Sequence, residues 1–430
     1  GIASADPQED AIMLWTRVID KYKSTATINL LVQISKDETF RELILESKVT
    51  ATQQSDHTIR FFAQGLDADG IYYYRFVTED MIASPTGRTR TAPKPDADRR
   101  IHFAWASCQN FEQGFYGAWA RMIRDDKQAP DNKQLDFILH VGDFIYESVN
   151  TGFHDDDYRA LHGDSAYLKD KTGRDRILPP LRNGGRKGKY GGYAAEDLED
   201  YRHIYREYLR DPNLQAARAR WPFICIWDDH EFWDNCWQSH LGHLADQKGR
   251  LAANQAWFEY VPALLSQSRT LEAVESEAYD FNFTPVENIS FGDPGQAIAS
   301  LEHNNQIAIH SMRIYRALRY GRHLKLLLTD NRSYRSDHAI PEWWQKKYFS
   351  DRPLLKTAEL INTLDEEIEN SVKTISNNGI SSPNPRRNQV PGSMLGDKQK
   401  RWWKASMKNT DATWKIWANS VPLMALFHDK

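Results

Sequence analysis

The chain has 430 residues, 40% hydrophobic and 27% charged, with a formal net charge of −4. Such a composition excludes a disordered or fibrous polypeptide, and the length fits two or three units of about 150 residues. Without a basic surplus no specific nucleic-acid binding is expected, and no apolar run nears the roughly 18 residues of a membrane helix.

The first hundred residues read as strands. Residues 11–18 (AIMLWTRV), 27–34 (TINLLVQI), 57–63 and 70–78 (GIYYYRFVT) are short, rich in β-branched and aromatic side chains, and separated by polar or Gly-containing turns. This spacing predicts a small antiparallel sandwich. In the tyrosine-rich strand, alternation assigns the rings to the inter-sheet core with one exposed ring between them. Pro and charge density rises over 91–99 (TAPKPDADR), which marks a linker and a boundary near residue 97.

Beyond the linker the pattern changes. Residues 101–107 (IHFAWAS) and 135–141 (LDFILHV) are strand-like runs, with helical periodicity over 117–126 between them. Strand, helix, strand predicts a parallel pairing with functional groups at strand ends. The stretch 155–192 is polar, Gly-rich and basic, ending in RNGGRKGKYGG, and reads as a lid or mobile loop. Then come a helix over 195–209, a buried strand over 221–227 (WPFICIW), a strand over 325–330 and an amphipathic helix over 354–374. A loop over 377–391, a helix over 397–407 and a strand over 414–418 (WKIWA) complete the pass.

Four clusters follow predicted strands: Ser107-Cys108-Gln109-Asn110, Gly142-Asp143-Phe144-Ile145-Tyr146-Glu147, Trp227-Asp228-Asp229-His230-Glu231 and Asp330-Asn331-Arg332-Ser333-Tyr334-Arg335. Each has a plain structural explanation. Gly142-Asp143 alone fits a turn, and Cys108 alone fits a small buried hydrophobe. Three acids and a histidine directly after an apolar strand are harder to dismiss, because they are expensive to desolvate without metal or partners. Carboxylates, a thiolate, a phenolate and an imidazole at strand termini suit a polynuclear metal site. The three cysteines, Cys108, Cys225 and Cys236, are too few for a disulfide framework.

These blocks, in this order, resemble the PhoD-like alkaline phosphatases, a branch of the calcineurin-like metallophosphoesterases. The resemblance is carried by GIASADPQEDAIMLWTRV, FAWASCQNFEQGFYGAW, LHVGDFIYE, WDDHEFWDN, TDNRSYRSD and MLGDKQKRWW with WKIWANSVPLM, from Gly1 to about Met424. It implies a four-layer αββα hydrolase over 98–430 behind an immunoglobulin- or fibronectin-like sandwich over 1–97. It implies Cys108, Asp143 and Tyr146 as iron ligands, with Asp143 bridging to a second metal, calcium, on Asp229. His230 becomes the proton donor, and Asp228 and Asn235 stand beside the site or add a calcium ligand. The family's further TGDxHxxW-like block has no counterpart before Lys430, so a C-terminal part of the hydrolase is expected to be missing from this chain.

The implied reaction is hydrolysis of phosphate esters by a hydroxide activated by two metals, Fe3+ and Ca2+, on a small phosphate ester or a phospholipid. Arg182, Arg186, Lys187 and Lys189 are candidates to grip the phosphate, because cationic side chains suit its oxygens. Arg332 and Arg335, after a strand-end Asp, read instead as structural partners of that acid. Alternatives are a phospholipase D-like phosphodiesterase, or a non-catalytic binding protein on a hydrolase scaffold. The resemblance also implies a periplasmic or secreted protein.

Overall fold

The computed structural model describes residues 1–20, 27–149, 176–188, 192–241, 244–265, 281–289, 302–337, 344, 347–348, 372–377, 379–387 and 392–422. The expected helix over 354–374 lies outside these residues, apart from its last three, and so does most of the 155–192 segment.

The N-terminal strands are β1 (Ile2–Ala5), β2 (Ala11–Arg17), β3 (Ile28–Ser35), β4 (Leu43–Ala51), β5 (Thr58–Gln64), β6 (Ile71–Thr78) and β7 (Gly87–Arg90). They divide between two sheets. One is antiparallel in the order β4-β3-β6-β7. The other contains β5-β2-β1 and does not stop there. With β8 (Phe103–Ala106), β9 (Phe137–Val141) and β10 (Pro222–Ile226) it forms one six-stranded sheet, β5-β2-β1-β10-β9-β8. β1 pairs in parallel with β10, Ser4 opposite Pro222 and Ala5 opposite Phe223. β1 leaves little mark in the sequence because IASA is short and half alanine, whereas burial between two longer strands decides it.

Alternation fills the N-terminal core as expected. Tyr72 and Tyr74 are fully buried beside Ile12, Leu14, Val32 and Ile34, while Tyr73, on the other face, is half-buried. Thus the ring expected to be exposed is partly covered.

A second sheet, β11 (Arg316–Tyr320), β12 (Leu324–Leu328) and β13 (Trp414–Ala418), packs on the first. Phe137 of β9 meets Tyr320 of β11, with ring centroids 5.0 Å apart. Phe223, on the opposite face of the first sheet, meets Trp119 of helix α1 (Gly117–Gln128). On the far side, Trp417 of β13 meets Trp403. That ring belongs to the last described helix, Gly396–Lys408, whose start Gly396 makes possible at φ +65°. Helix, sheet, sheet, helix is the four-layer order expected for this half.

Three more helices run between the strands: α2 (Leu198–Tyr208), α3 (Pro212–Arg220) and α4 (Gln247–Tyr260). Their starts are capped by Asp197, Asp211 and Asp246, whose carboxylates accept from otherwise orphaned backbone N–H groups. The buried Arg316 binds Asp6 with two 2.8 Å hydrogen bonds and joins β11 to the loop after β1. The loop expected over 377–391 begins instead with a hairpin, Thr374–Asn377 paired with Ile380–Pro383. Gly379, at φ +78°, supplies the left-handed residue that the turn between them uses.

Candidate metal centre

β8, β9 and β10 run parallel, so the loops after them leave the same edge of the sheet. The first brings Cys108, the second Asp143 and Tyr146, the third Asp228, Asp229 and His230. The loops are locked together before any side chain acts. Cys108 N–H donates to the Gly142 carbonyl at 3.2 Å and Gln109 N–H to the Asp143 carbonyl at 3.1 Å. Gly142, at φ +111°, lies so close to the third loop that a Cβ there would stand 2.6 Å from both Asp228 Cβ and its nitrogen. Only glycine fits that approach. Cys108, Asp143 and Asn235 are held at φ +54° to +57°, the left-handed region that side chains usually avoid.

At the centre, Asp143 Oδ2 takes Cys108 Sγ at 3.4 Å and the Tyr146 hydroxyl at 3.2 Å. Its other oxygen, Oδ1, is buried without a hydrogen-bond partner among the described residues. Ligand atoms of Asp143, Asp229 and His230 all lie within 4.8 Å of one another. Cys108 is exposed, so the plain reading of it as a buried hydrophobe fails. The expected set of Cys108, Asp143, Tyr146, Asp229 and His230 therefore converges on one spot.

The electrostatics follow from burial and crowding. Burial, reinforced by the charges of Asp229 and Asp228 and opposed by His230, raises Asp143 to about 7. Burial and then the Asp143 charge raise Glu231 to about 8. Burial also raises Asp229, but Arg332 and His230 outweigh it and hold that carboxyl below its ordinary value. Partial desolvation and the Asp143 charge push up the thiol of the otherwise exposed Cys108, and the Tyr146 phenol is pushed far up, first by burial and then by the Asp143 charge. A cation among these groups would reverse the penalty on every anionic form.

Two acids that carried no assigned role hold the frame. Glu147 Oε2 lies 2.7 Å from His230 Nδ1, and its Oε1 accepts from Asp234 N–H at 3.2 Å. Burial disfavours a charged His230 ring, yet the Glu147 hydrogen bond and charge prevail and raise it to about 10. Glu231 accepts from Phe144 N–H at 2.7 Å and Asp228 N–H at 2.8 Å, and so staples the second loop to the third. Both acids were visible as ionisable residues inside apolar strand-end segments, and only their partners were not.

The remaining expectations fare unevenly. Asn235 donates its backbone N–H to Asp229 and its side-chain amide to Asp234. Arg186 is bound by Asp246 and leans toward the Trp233 ring. Arg182 and Lys187 are exposed, and Lys189 lies outside the described residues. Arg332 is a structural partner, but of a different acid from the one expected. Its Nε donates to Asp228 Oδ1 at 2.7 Å, while Asp330 accepts only its backbone N–H. Ser420, after β13, donates to the same Asp228 oxygen at 2.7 Å, a contact across 192 residues that nothing in the sequence signals. Arg335, expected to pair in the same way, makes no side-chain hydrogen bond or ion pair among the described residues.

The family model described as PhoD-like phosphatase matches residues 103–430, and that of the PhoD-like phosphatase N-terminal domain matches residues 1–93. Alkaline phosphatase D of Bacillus subtilis (strain 168) is 25% identical over 436 residues, an overlap covering 98% of this chain and 55% of that protein. A solved structure described as "Structure of PhoD" is 24% identical with a TM-score of 0.62, covering 97% of this chain and 61% of that one. Its likeness shows the fold. The chain thus spans little more than half the length of the curated relative it matches.

Proposed function

The chain belongs to the PhoD-like phosphatase family, and from that footing we propose that it hydrolyses phosphate esters with metal ions held at Asp143. One observation carries this reading: a buried carboxylate keeps one oxygen unpartnered while a thiol and a phenol share the other. An orphaned, desolvated anion is costly, and a cation removes the cost. In this reading Cys108, Asp143, Tyr146 and Asp229 are the ligands. The thiolate and phenolate suit Fe3+, and the carboxylate-rich side suits Ca2+. Such ions, when bound, supply an acidified water and neutralise phosphate charge.

The chain's own residues do the rest. His230, oriented by Glu147 through Nδ1, keeps a proton to give to the leaving oxygen. Asp228, fixed by Arg332 and Ser420, shapes the site from behind Asp229 or adds an oxygen ligand. Asn235 fixes Asp229 through its backbone. Arg182 and Lys187 meet the substrate from the basic segment. We assign 1–97 to an N-terminal β unit and 98–430 to the hydrolase unit, although one sheet runs through both. The substrates are small phosphate mono- or diesters.

The test is direct. Protein reconstituted with Fe3+ and Ca2+ should hydrolyse para-nitrophenyl phosphate or its bis ester, lose activity on chelation, and regain it on metal return. If the reconstituted protein leaves both esters intact, the reading fails. We also propose a secreted or periplasmic location, supported by the family resemblance alone. Recovery of the protein only from cytoplasm in cell fractionation would overturn it.

A further inference from the structure

The segment after β12 carries two arginines three residues apart, and they live in opposite circumstances. Arg332 is committed to carboxylates of the fold. Its guanidinium donates to Asp228 at 2.7 Å and to the Cys236 carbonyl at 3.3 Å, and lies 3.6 Å from Asp229 Oδ1. Arg335 is 9% exposed, almost as buried as Arg332, yet none of its guanidinium nitrogens has a hydrogen-bond or carboxylate partner among the described residues. Its Nε is fully enclosed and orphaned. The backbone explains why it stays: the Arg335 carbonyl accepts from Gln238 Nε2 at 3.1 Å, and Gln238 N–H donates to the Arg332 carbonyl at 2.8 Å. Both arginines are thereby pinned against the loop that follows Asp229.

A buried guanidinium without a counter-ion is destabilising, because desolvation is uncompensated. Burial and then the neighbouring Arg332 charge lower Arg335 to about 10, opposed by Cys236, Asp228 and Asp337. It therefore remains cationic at neutral pH. No anion among the described residues is committed to it, so an anion from outside is the natural partner, and the fork of N–H donors fits phosphate oxygens.

We propose that Arg335 is a substrate-binding residue that holds the phosphoryl oxygens of the ester beside the Asp228–Asp229 loop. This rests on the phosphatase reading and adds to it which cation receives the phosphate. Arg332, by contrast, already faces two carboxylates, Asp228 and Asp229.

The experiment uses the metal-loaded chain, with inorganic phosphate and para-nitrophenyl phosphate as probes. Arg335→Met should weaken phosphate binding in calorimetry, and raise KM, by roughly ten- to a hundredfold, as expected for charge-assisted hydrogen bonds. Metal content should not change. Without phosphate, the same variant should unfold at a higher temperature than the parent chain, the reverse of what loss of a structural arginine does. Arg335→Lys, which keeps the charge and loses the fork, should fall between in affinity. Unchanged phosphate affinity in either folded variant, or a lowered unfolding temperature for Arg335→Met without phosphate, would overturn the proposal. Phosphate binding is read independently of turnover, so an inactive parent chain that still binds phosphate through Arg335 would sink the hydrolase reading alone.

Discussion

The strand ends of the two central sheets meet across the site with opposite chemistry. After β9 and β10 come acids held in crowded, desolvated positions: Asp143, Asp228, Asp229 and Glu231. After β12 and β13 come Arg332, Arg335 and Ser420. The first sheet concentrates negative charge that the fold only partly satisfies, and the second supplies a limited set of donors that satisfy chosen members. Asp228 receives two of those donors, whereas Asp143 receives none from the second sheet among the described residues and keeps an orphaned oxygen. A folded protein ordinarily pairs its buried polar groups. Asp330 and Asp200 also keep an orphaned oxygen, but only Asp143, among the described residues, also brings a ligand atom within 4.8 Å of those of Asp229 and His230, which is where a cation fits.

That contrast can be broken most severely at Asp143. Asp143→Ala should abolish ester hydrolysis and lower metal content, measured by turnover and elemental analysis, while far-ultraviolet circular dichroism stays native. Retained metal and turnover would remove Asp143 from the centre. Next in size is the proton donor. His230→Ala should cost about 10²–10⁴ in kcat with metal retained. Glu147→Gln should cost about 10–100-fold and move the alkaline limb of the pH–rate profile to lower pH. The sign follows from Glu147 raising His230: an acid with a lowered pKa loses its proton earlier as pH rises. An unmoved limb would separate Glu147 from the proton donor.

Smaller effects test the donor side. Arg332→Met strips the guanidinium from Asp228 and should lower stability by about 3 kcal/mol in denaturant unfolding. Its opposite expected sign from Arg335→Met makes the pair a sharp comparison of a committed and an uncommitted arginine.

The gentlest test is pH itself, on chelated protein. Asp143 and Glu231 have folded values of about 7 and 8, above their ordinary 3.8 and 4.5. Between those limits the folded state binds more protons than the unfolded state, so stability falls as pH rises. His230, raised from 6.5 to about 10, contributes stability that is present below pH 6.5 and lost through pH 10. Both trends have one sign, and the metal-free melting temperature should decline from pH 5 to pH 9. Metal addition should recover most of the loss at pH 8. A flat metal-free profile would count against the burial of these acids.

Much of this arrangement could be read along the chain. β-Branched and aromatic content between turn residues located β2, β3, β5 and β6, and continuous apolar runs located β9 and β10, because a strand buried on both faces is apolar throughout. Asp228, Asp229, His230 and Glu231 stood out because three acids and a histidine abutting an apolar strand are costly unless they act, whereas Cys108, Asp143 and Tyr146 were singled out by the family resemblance. β1 left almost no mark, since its hydrogen-bond partners lie more than 200 residues away on one side. The boundary near residue 97 is a sequence feature that the hydrogen-bonded sheet ignores, because strand pairing depends on neighbours in space.

What the sequence alone determined was therefore the local inventory: which segments extend, which coil, and which strand ends carry chemically able groups. Only the tertiary structure decided allegiance. It gave Arg332 to Asp228 instead of Asp330, set Glu147 behind His230, brought Ser420 to Asp228, tied Arg186 to Asp246 and left the Arg335 guanidinium without a hydrogen-bond partner among the described residues. The physical reason is that pairing energies are short-ranged, and distances of a few ångströms between residues a hundred or more positions apart exist only once the two sheets have packed.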